Sequence, residues 1–292
     1  MEIRVLKYFL MVAREENITR AASLLHLTQP MLSRQLKQLE DELGVRLFER
    51  SRHRIILTEE GMLLRRRAQE IVSLEERAKQ DVRKASNELE GSVTVGSGEL
   101  KSSDALMKLI TDFQRGNPLV RFNIYSGNSD DIKGRIDSGL VDVGLLQEPV
   151  EISKYEFVRT GIKERWGAIV CENSELALKS CVTPDDLVGK RLIVPARETI
   201  KNELYNWLSG RAGELTVIAQ GNLLYNLAVL AKNSQSSILT LELDCKYSGL
   251  CFLPLKPAIE SETVLVWKKA QAFSKPVAAF IAAAKKYFSG MK

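Results

Sequence analysis

The stretch from Thr58 to Glu90 contains no proline, and its single glycine, Gly61, stands near the start. Within it Leu64, Ala68, Ile71, Ala78, Val82, Ala85 and Leu89 recur at alternating steps of four and three, interrupted by Glu75. That is the spacing of a heptad seam. One helix of this length with an apolar stripe in water is not stable, so the stripe needs a partner. Packing against its own chain is one solution. The length of the stripe favours the other, a second copy of the same helix. Either way the chain is divided into a short part before the helix and a long part after it.

The short part reads as helices followed by a ribbon. Ile3, Leu6, Phe9 and Leu10 give a first helix an apolar face with 3.6 periodicity. Asn17 is placed to cap a second, with Ile18, Ala21, Ala22 and Leu25 on its inner side. Thr28 is placed to cap a third, with Pro30 in the first turn, where a missing N–H costs little. After it, Leu47–Arg50 and Ile55–Leu57 flank a polar turn and predict a small β-ribbon.

From Gly91 on, strand-like and helix-like runs alternate. SVTVG, VRFNIYS, VDVGLL, YEFVRTG and WGAIV form a first round; RLIVP, LTVIA and SILTL belong to a second, and the chain ends with TVLVW and a helix. Helical stretches are expected over Ser103–Phe113, Asp130–Ser138, Ile200–Ser209, Leu223–Lys232 and Pro276–Phe288. Such alternation predicts an α/β fold. Two rounds predict two similar lobes, with a cleft between them suited to a small ligand.

The third helix has segregated charges. On a wheel, Leu32, Leu36, Leu39 and Leu43 share a narrow face, while Pro30, Ser33, Arg34 and Lys37 lie roughly opposite. Arg34 and Lys37 stand toward the front, and Glu40, Asp41 and Glu42 stand at the back. A helix lying full length on a polyanion would be repelled at its acidic end. One entering a DNA major groove by its N-terminal half is not, which is how the second helix of a helix-turn-helix docks. Arg46, Arg50, Arg52, His53 and Arg54 follow closely, as a wing against a phosphate backbone would require. The net charge of +5 over the whole chain would not have argued for nucleic acid; the placement does.

These same residues carry a resemblance. TRAA, LTQPMLSRQLKQLE, LGVRLFER and LTEEG, in this order over about the first 60 residues, resemble the DNA-binding domain of LysR-type transcriptional regulators. The resemblance implies a winged helix-turn-helix over 1–58, a linker and dimerisation helix over 59–90, and a two-lobed Rossmann-like effector domain, similar to periplasmic binding proteins, over 91–292. Lobe I would take about 91–163 and 265–292, and lobe II about 164–264. It implies double-stranded promoter DNA as partner, a homodimer through the linker helix and a homotetramer beyond it, with RNA polymerase a candidate further partner. Carried over, the DNA-binding residues are Thr28, Gln29, Pro30, Ser33, Arg34, Lys37, Arg50, Arg52 and Arg54. The effector-binding residues are Ser97, Lys101, Ser102, Asn128, Ser129, Arg197 and Thr199, with Arg197 or Lys101 as counter-charge for an anionic metabolite. One departure stands out: AKNSQSSIL (Ala231–Leu239) replaces the Gly-rich apolar turn of many relatives.

Other function classes fit the residues poorly. Both histidines, His26 and His53, precede the α/β part, so Ser-His and Cys-His nucleophiles are absent there. VGSGELK has only G-x-G, with Lys101 where the fingerprint wants its third glycine, and no GxxxxGK[ST] loop occurs. Cys171, Cys181, Cys245 and Cys251 form no CxxC pair, so neither a metal nor a cofactor is expected. The short apolar run Tyr8–Ala13 falls below a signal or membrane span, which gives a cytoplasmic address and no membrane partner. The remaining alternative is an architectural DNA-binding protein that ignores effectors.

Overall fold

The computed structural model of the chain describes residues 1–50, 55–83, 89–209 and 211–290. They form two compact units, Met1–Ala85 and Ser86–Lys292.

In the first unit, α1 (Ile3–Glu15), α2 (Ile18–Leu24) and α3 (Gln29–Leu43) precede a ribbon of β1 (Phe48–Arg50) and β2 (Ile55–Leu57), then α4 (Glu59–Arg83). Asn17 starts α2 as expected, its side chain accepting from the Arg20 N–H at 3.0 Å. Leu6, Phe9, Val12, Ala21, Ala22, Leu32, Leu36, Leu39 and Leu47 are buried together. Each large side chain among them contributes about 1.5–3 kcal/mol by leaving water. The smallness of Ala21 and Ala22 lets α2 approach its neighbours. Gly61 has a similar reason: a Cβ there would lie 2.2 Å from the Leu47 carbonyl oxygen. The glycine of LTEEG thus marks where α4 crosses the strand before the wing.

The seam on α4 is divided. Ala68 is fully buried in the first unit's own core, and Leu64, Ile71 and Val72 pack against it. Glu75, which broke the heptad, faces Lys7 of α1 in an ion pair of 2.8 Å and also pairs with Lys79. These two ammonium groups hold the Glu75 carboxyl down at about 2. The front of the stripe therefore packs on its own chain, which corrects the expectation that Ile71 faces a second copy. A neighbouring stripe remains outward at steps of four, three and four: Leu63, Arg67, Glu70 and Leu74, with Leu63 58% and Leu74 36% exposed. Arg67 and Glu70 pair with each other at 3.0 Å. The side chain of Val82, and Ala85, lie outside the described residues, and Leu89 packs in the second unit.

The second unit is α/β. In order it holds β3 (Gly91–Ser97), α5 (Ser103–Gly116), β4 (Val120–Ser126), α6 (Ser129–Asp137), β5 (Val143–Gln147), β6 (Tyr155–Cys171), α7 (Pro184–Leu187), β7 (Arg191–Pro195), α8 (Glu198–Trp207), β8 (Thr216–Gly221), α9 (Leu224–Ser234), β9 (Ser237–Leu241), β10 (Leu250–Pro254), β11 (Glu260–Lys268) and α10 (Lys275–Ser289). The strands run β4-β3-β5-β11-β6-β9-β7-β8, with β10 also on β6. Each lobe has three parallel strands, β4-β3-β5 and β8-β7-β9.

YEFVRTG and WGAIV are one strand, not two. From Tyr155 to Arg165 β6 pairs with β11; from Trp166 onward it pairs with β9, and from Gly167 with β10. Gly161, at a φ of +73°, sits where the ladder with β11 shifts register between Glu262 and Val264. A local distortion in the sequence pattern thus concealed a continuous backbone. The strand expected over TVLVW likewise begins earlier, at Glu260.

Candidate nucleic-acid interface and ligand cleft

Burial of Leu32, Leu36 and Leu39 turns the opposite face of α3 outward. Thr28, Gln29, Pro30, Arg34 and Lys37 are exposed there, with Ser33 half-buried. Gln29 Nε2 donates to Ser33 Oγ at 2.8 Å, so these two form one polar unit. Arg34 and Lys37 have no ion pair or hydrogen bond among the described residues. Thr28 occupies the N-cap position with extended backbone, but its side chain makes no cap bond. That hydroxyl stays available, as do the N–H groups of the first turn.

The acidic end of α3 has its own task. Glu40 Oε1 accepts from the backbone N–H groups of Leu47 (2.7 Å) and Phe48 (3.2 Å), fastening the strand that begins the wing. Glu42 pairs with the N-terminal ammonium. The ribbon is tied on its other side by the Ile55 N–H to the Glu16 carbonyl at 3.1 Å. Arg46 is exposed, and Arg50 ends β1 opposite Ile55. The side chain of Arg50, and Arg52 and Arg54 altogether, lie outside the described residues.

In the second unit a cleft of about 110 Å³ lies between the lobes; one water needs roughly 10–15 Å³. Asn128, Ser129, Pro195, Ala196 and Arg197 line it, as does Gly127. Asn128 Oδ1 caps α6 through the N–H groups of Asp130 and Asp131, both at 2.9 Å. Ser129 Oγ accepts from the Gln147 N–H at 3.1 Å. The buried guanidinium of Arg197 donates to the carbonyls of Gln147 (3.1 Å) and Pro149 (2.7 Å) and to Asp130 Oδ2 (3.3 Å). It is a strut from lobe II to lobe I. Glu99 makes the reverse link, its carboxylate accepting from the Leu224 N–H at the start of α9.

The other expected effector residues lie elsewhere. Ser97 is buried and bonds to the Gly98 carbonyl and Ser103 Oγ, both at 2.9 Å. The N–H groups of Lys101 and Ser102 each donate at 2.9 Å to the buried carboxylate of Glu164. The Lys101 and Thr199 side chains are exposed and neither residue lines the cleft. A carboxylate from another strand, far away in sequence, has taken the place foreseen for a ligand. Sequence reasoning missed Glu99, Gln147, Trp166 and Thr240, which do line it. The opening tryptophan of WGAIV was the one available signal, an aromatic at the first position of a buried run.

The polar turn AKNSQSSIL is explained by local bonding. Gln235 adopts φ +50°, the conformation glycine usually supplies. Ser234 Oγ bonds to the Leu230 carbonyl and to Ser236 Oγ, both at 2.7 Å. Ile238 and Leu239 still reach the cleft wall. Cys171 and Cys251 occupy adjacent strands, opposite Leu250 and Val170 respectively, so their side chains leave opposite faces of the sheet. Burial pushes both thiols up, away from thiolate reactivity. Among the described residues no His, Cys, Asp or Glu cluster could hold a metal ion, and no helix is long and apolar enough to cross a membrane.

Residues 3–62 match the family model of the bacterial regulatory helix-turn-helix protein, lysR family, and residues 86–289 match the LysR substrate binding domain. The chain belongs to the LysR family. Among its curated relatives, the HTH-type transcriptional regulator BsdA of Bacillus subtilis (strain 168) is 36% identical over 158 residues, 54% of each chain. The match thus spans about half the length of that relative. The HTH-type transcriptional regulator BudR of Klebsiella aerogenes is 36% identical over 146 residues, 49% of this chain and 100% of that one. Both are named as transcriptional regulators, not enzymes. The crystal structure of full-length CbnR complexed with its target DNA has the same fold, with a TM-score of 0.75 at 21% identity, covering 98% of this chain and 100% of that one. This LysR-family chain therefore has an N-terminal helix-turn-helix and a two-lobed α/β domain, as its sequence predicts.

Proposed function

We propose that this protein is a sequence-specific, DNA-binding transcriptional regulator whose two-lobed domain responds to a small molecule held in the cleft. The observation that carries the DNA half is the pair of exposed cations, Arg34 and Lys37, on the leading half of α3, which have no partner among the described residues. Two exposed cations with no counter-ion among the described residues suit a phosphate backbone, which releases condensed cations when they bind. The Gln29–Ser33 unit beside them presents donors and acceptors to base edges. Glu40, tied to the backbone of the wing, keeps helix and wing in one body.

The protein acts as a homodimer through the outward stripe of α4, where Leu63 and Leu74 want cover. Two copies then offer two recognition helices to a two-fold site. Genomic footprinting of the purified protein, with and without a small-molecule extract of cells, tests the whole reading. Discrete two-fold sites that change with the extract support it. Diffuse binding that ignores the extract identifies an architectural DNA binder instead.

A further inference from the structure

We infer that Met31, in the first turn of α3, reads a thymine in the major groove through that base's 5-methyl group. This rests on the DNA-binding reading above and goes beyond it by naming a specificity-determining residue and the base it selects. Met31 is not among the residues that the family resemblance carries over, which are polar apart from Pro30.

The core of the first unit takes Leu32, Leu36 and Leu39 from α3 and leaves the opposite side of the helix in water. Three apolar residues of α3 are nevertheless exposed, Pro30, Met31 and Leu43. Pro30 starts the helix, where its missing N–H costs little, and Leu43 ends it beside Gly44. Met31 has no such local reason. It is 49% exposed and takes no part in the core cluster, which draws in even the half-buried Ile18 and Leu27.

Its place on the helix says what it meets. At 3.6 residues per turn, Ser33 lies to one side of Arg34 and Met31, almost a turn back, to the other. The leading face thus presents three kinds of group: the polar Gln29–Ser33 pair, a cation and a thioether. An apolar protein surface laid over Met31 would bury Arg34 with it, at a desolvation cost. DNA instead gives the cation a phosphate or a guanine edge. In the major groove it also gives the thioether a methyl, which thymine alone of the four bases carries there. The leading residues of such a helix are the ones that reach base edges. A methionine side chain is unbranched and polarizable, so it settles on a methyl without a preformed pocket. Contact takes the apolar surface of both out of water.

The test uses the full-length protein and a duplex taken from a footprinted site. Each thymine in turn is replaced by deoxyuridine, in both half-sites at once, which deletes the 5-methyl and keeps the pairing. Affinity is read by fluorescence anisotropy. Wild type should lose about fourfold per half-site at one thymine position, the worth of burying one methyl-sized group. Met31→Ala should bind the thymine and uracil duplexes alike at that position. Its melting temperature and its affinity for an unrelated duplex should match wild type. No thymine position that matters to wild type, or undiminished discrimination by Met31→Ala, overturns the assignment and leaves a specific DNA-binding regulator standing. Absence of any discrete footprint removes the DNA-binding reading, and this inference with it.

Discussion

Replacing Arg34 with alanine separates a reading helix from a merely exposed one. Arg34 is exposed and its guanidinium makes no hydrogen bond or ion pair among the described residues, so the folded unit should change by less than about 0.5 kcal/mol, as for other surface sites. Its loss on DNA depends on what it meets. A phosphate contact lowers the slope of log affinity against log salt by about 0.9 per copy, or about 1.8 for a dimer. A base-edge contact costs about 1–3 kcal/mol per copy, about 2–6 for two, which is roughly 30-fold to 10⁴-fold in affinity. Fluorescence anisotropy on a footprinted duplex between about 50 and 200 mM salt, beside an unrelated duplex, distinguishes the two. Arg115→Ala is the control: it removes the same charge from α5, where Arg115 pairs with Asp112 at 2.8 Å. Unchanged affinity and slope for Arg34→Ala would refute the assignment of α3 to the major groove.

Glu40→Ala removes a negative charge near the proposed DNA face, so electrostatics alone predicts tighter binding. Because it also strands the N–H groups of Leu47 and Phe48, at a cost of about 1–3 kcal/mol, we expect weaker binding and a lower urea midpoint. Glu75 is held at about 2, below its ordinary value of 4.5, by Lys7 and Lys79. The carboxylate's contribution is thus present above the ordinary value and is lost as pH falls through 4.5 toward 2. Wild type should lose its advantage over Glu75→Gln across that window in chemical unfolding; a constant difference would show that the ion pair does not set it. Leu74→Asp should give monomers with native circular dichroism in sedimentation. Ile71→Asp should instead unfold the first unit, and an intact fold would show that this side chain does not pack against that unit's core.

Some of this was legible in the sequence because it is local. The leucines of α3 and the cations opposite them follow from the helical period, and Asn17 announces α2. The front of the expected seam on α4 turned out to pack on its own chain. Leu63 and Leu64 are adjacent, and only the position of α1 decides which of the two stripes goes inside. Lys101 and Ser102 sit at a helix start that looks open in sequence, because the carboxylate that fills it comes from β6. The cleft wall was hidden for a related reason. Glu99, Gln147, Trp166 and Thr240 belong to four separate segments with no shared pattern, and folding alone makes them neighbours. β10 escaped because its run ends in a proline and pairs on one side only.

The continuity of β6 limits how the two lobes can respond. Its partners change between Arg165 and Trp166, from β11 to β9, while the backbone runs on unbroken. Each ladder therefore stays on its own side of that point, and a rotation about it leaves both in place. Changing the strand's twist tears neither, since strands accommodate a wide range of twist. A molecule lodged against Trp166 would press on the very residue where the ladder changes hands. On the proposed ligand-responsive reading, β6 would serve as a torsion bar, converting pressure at its midpoint into opposed rotations of its two ends.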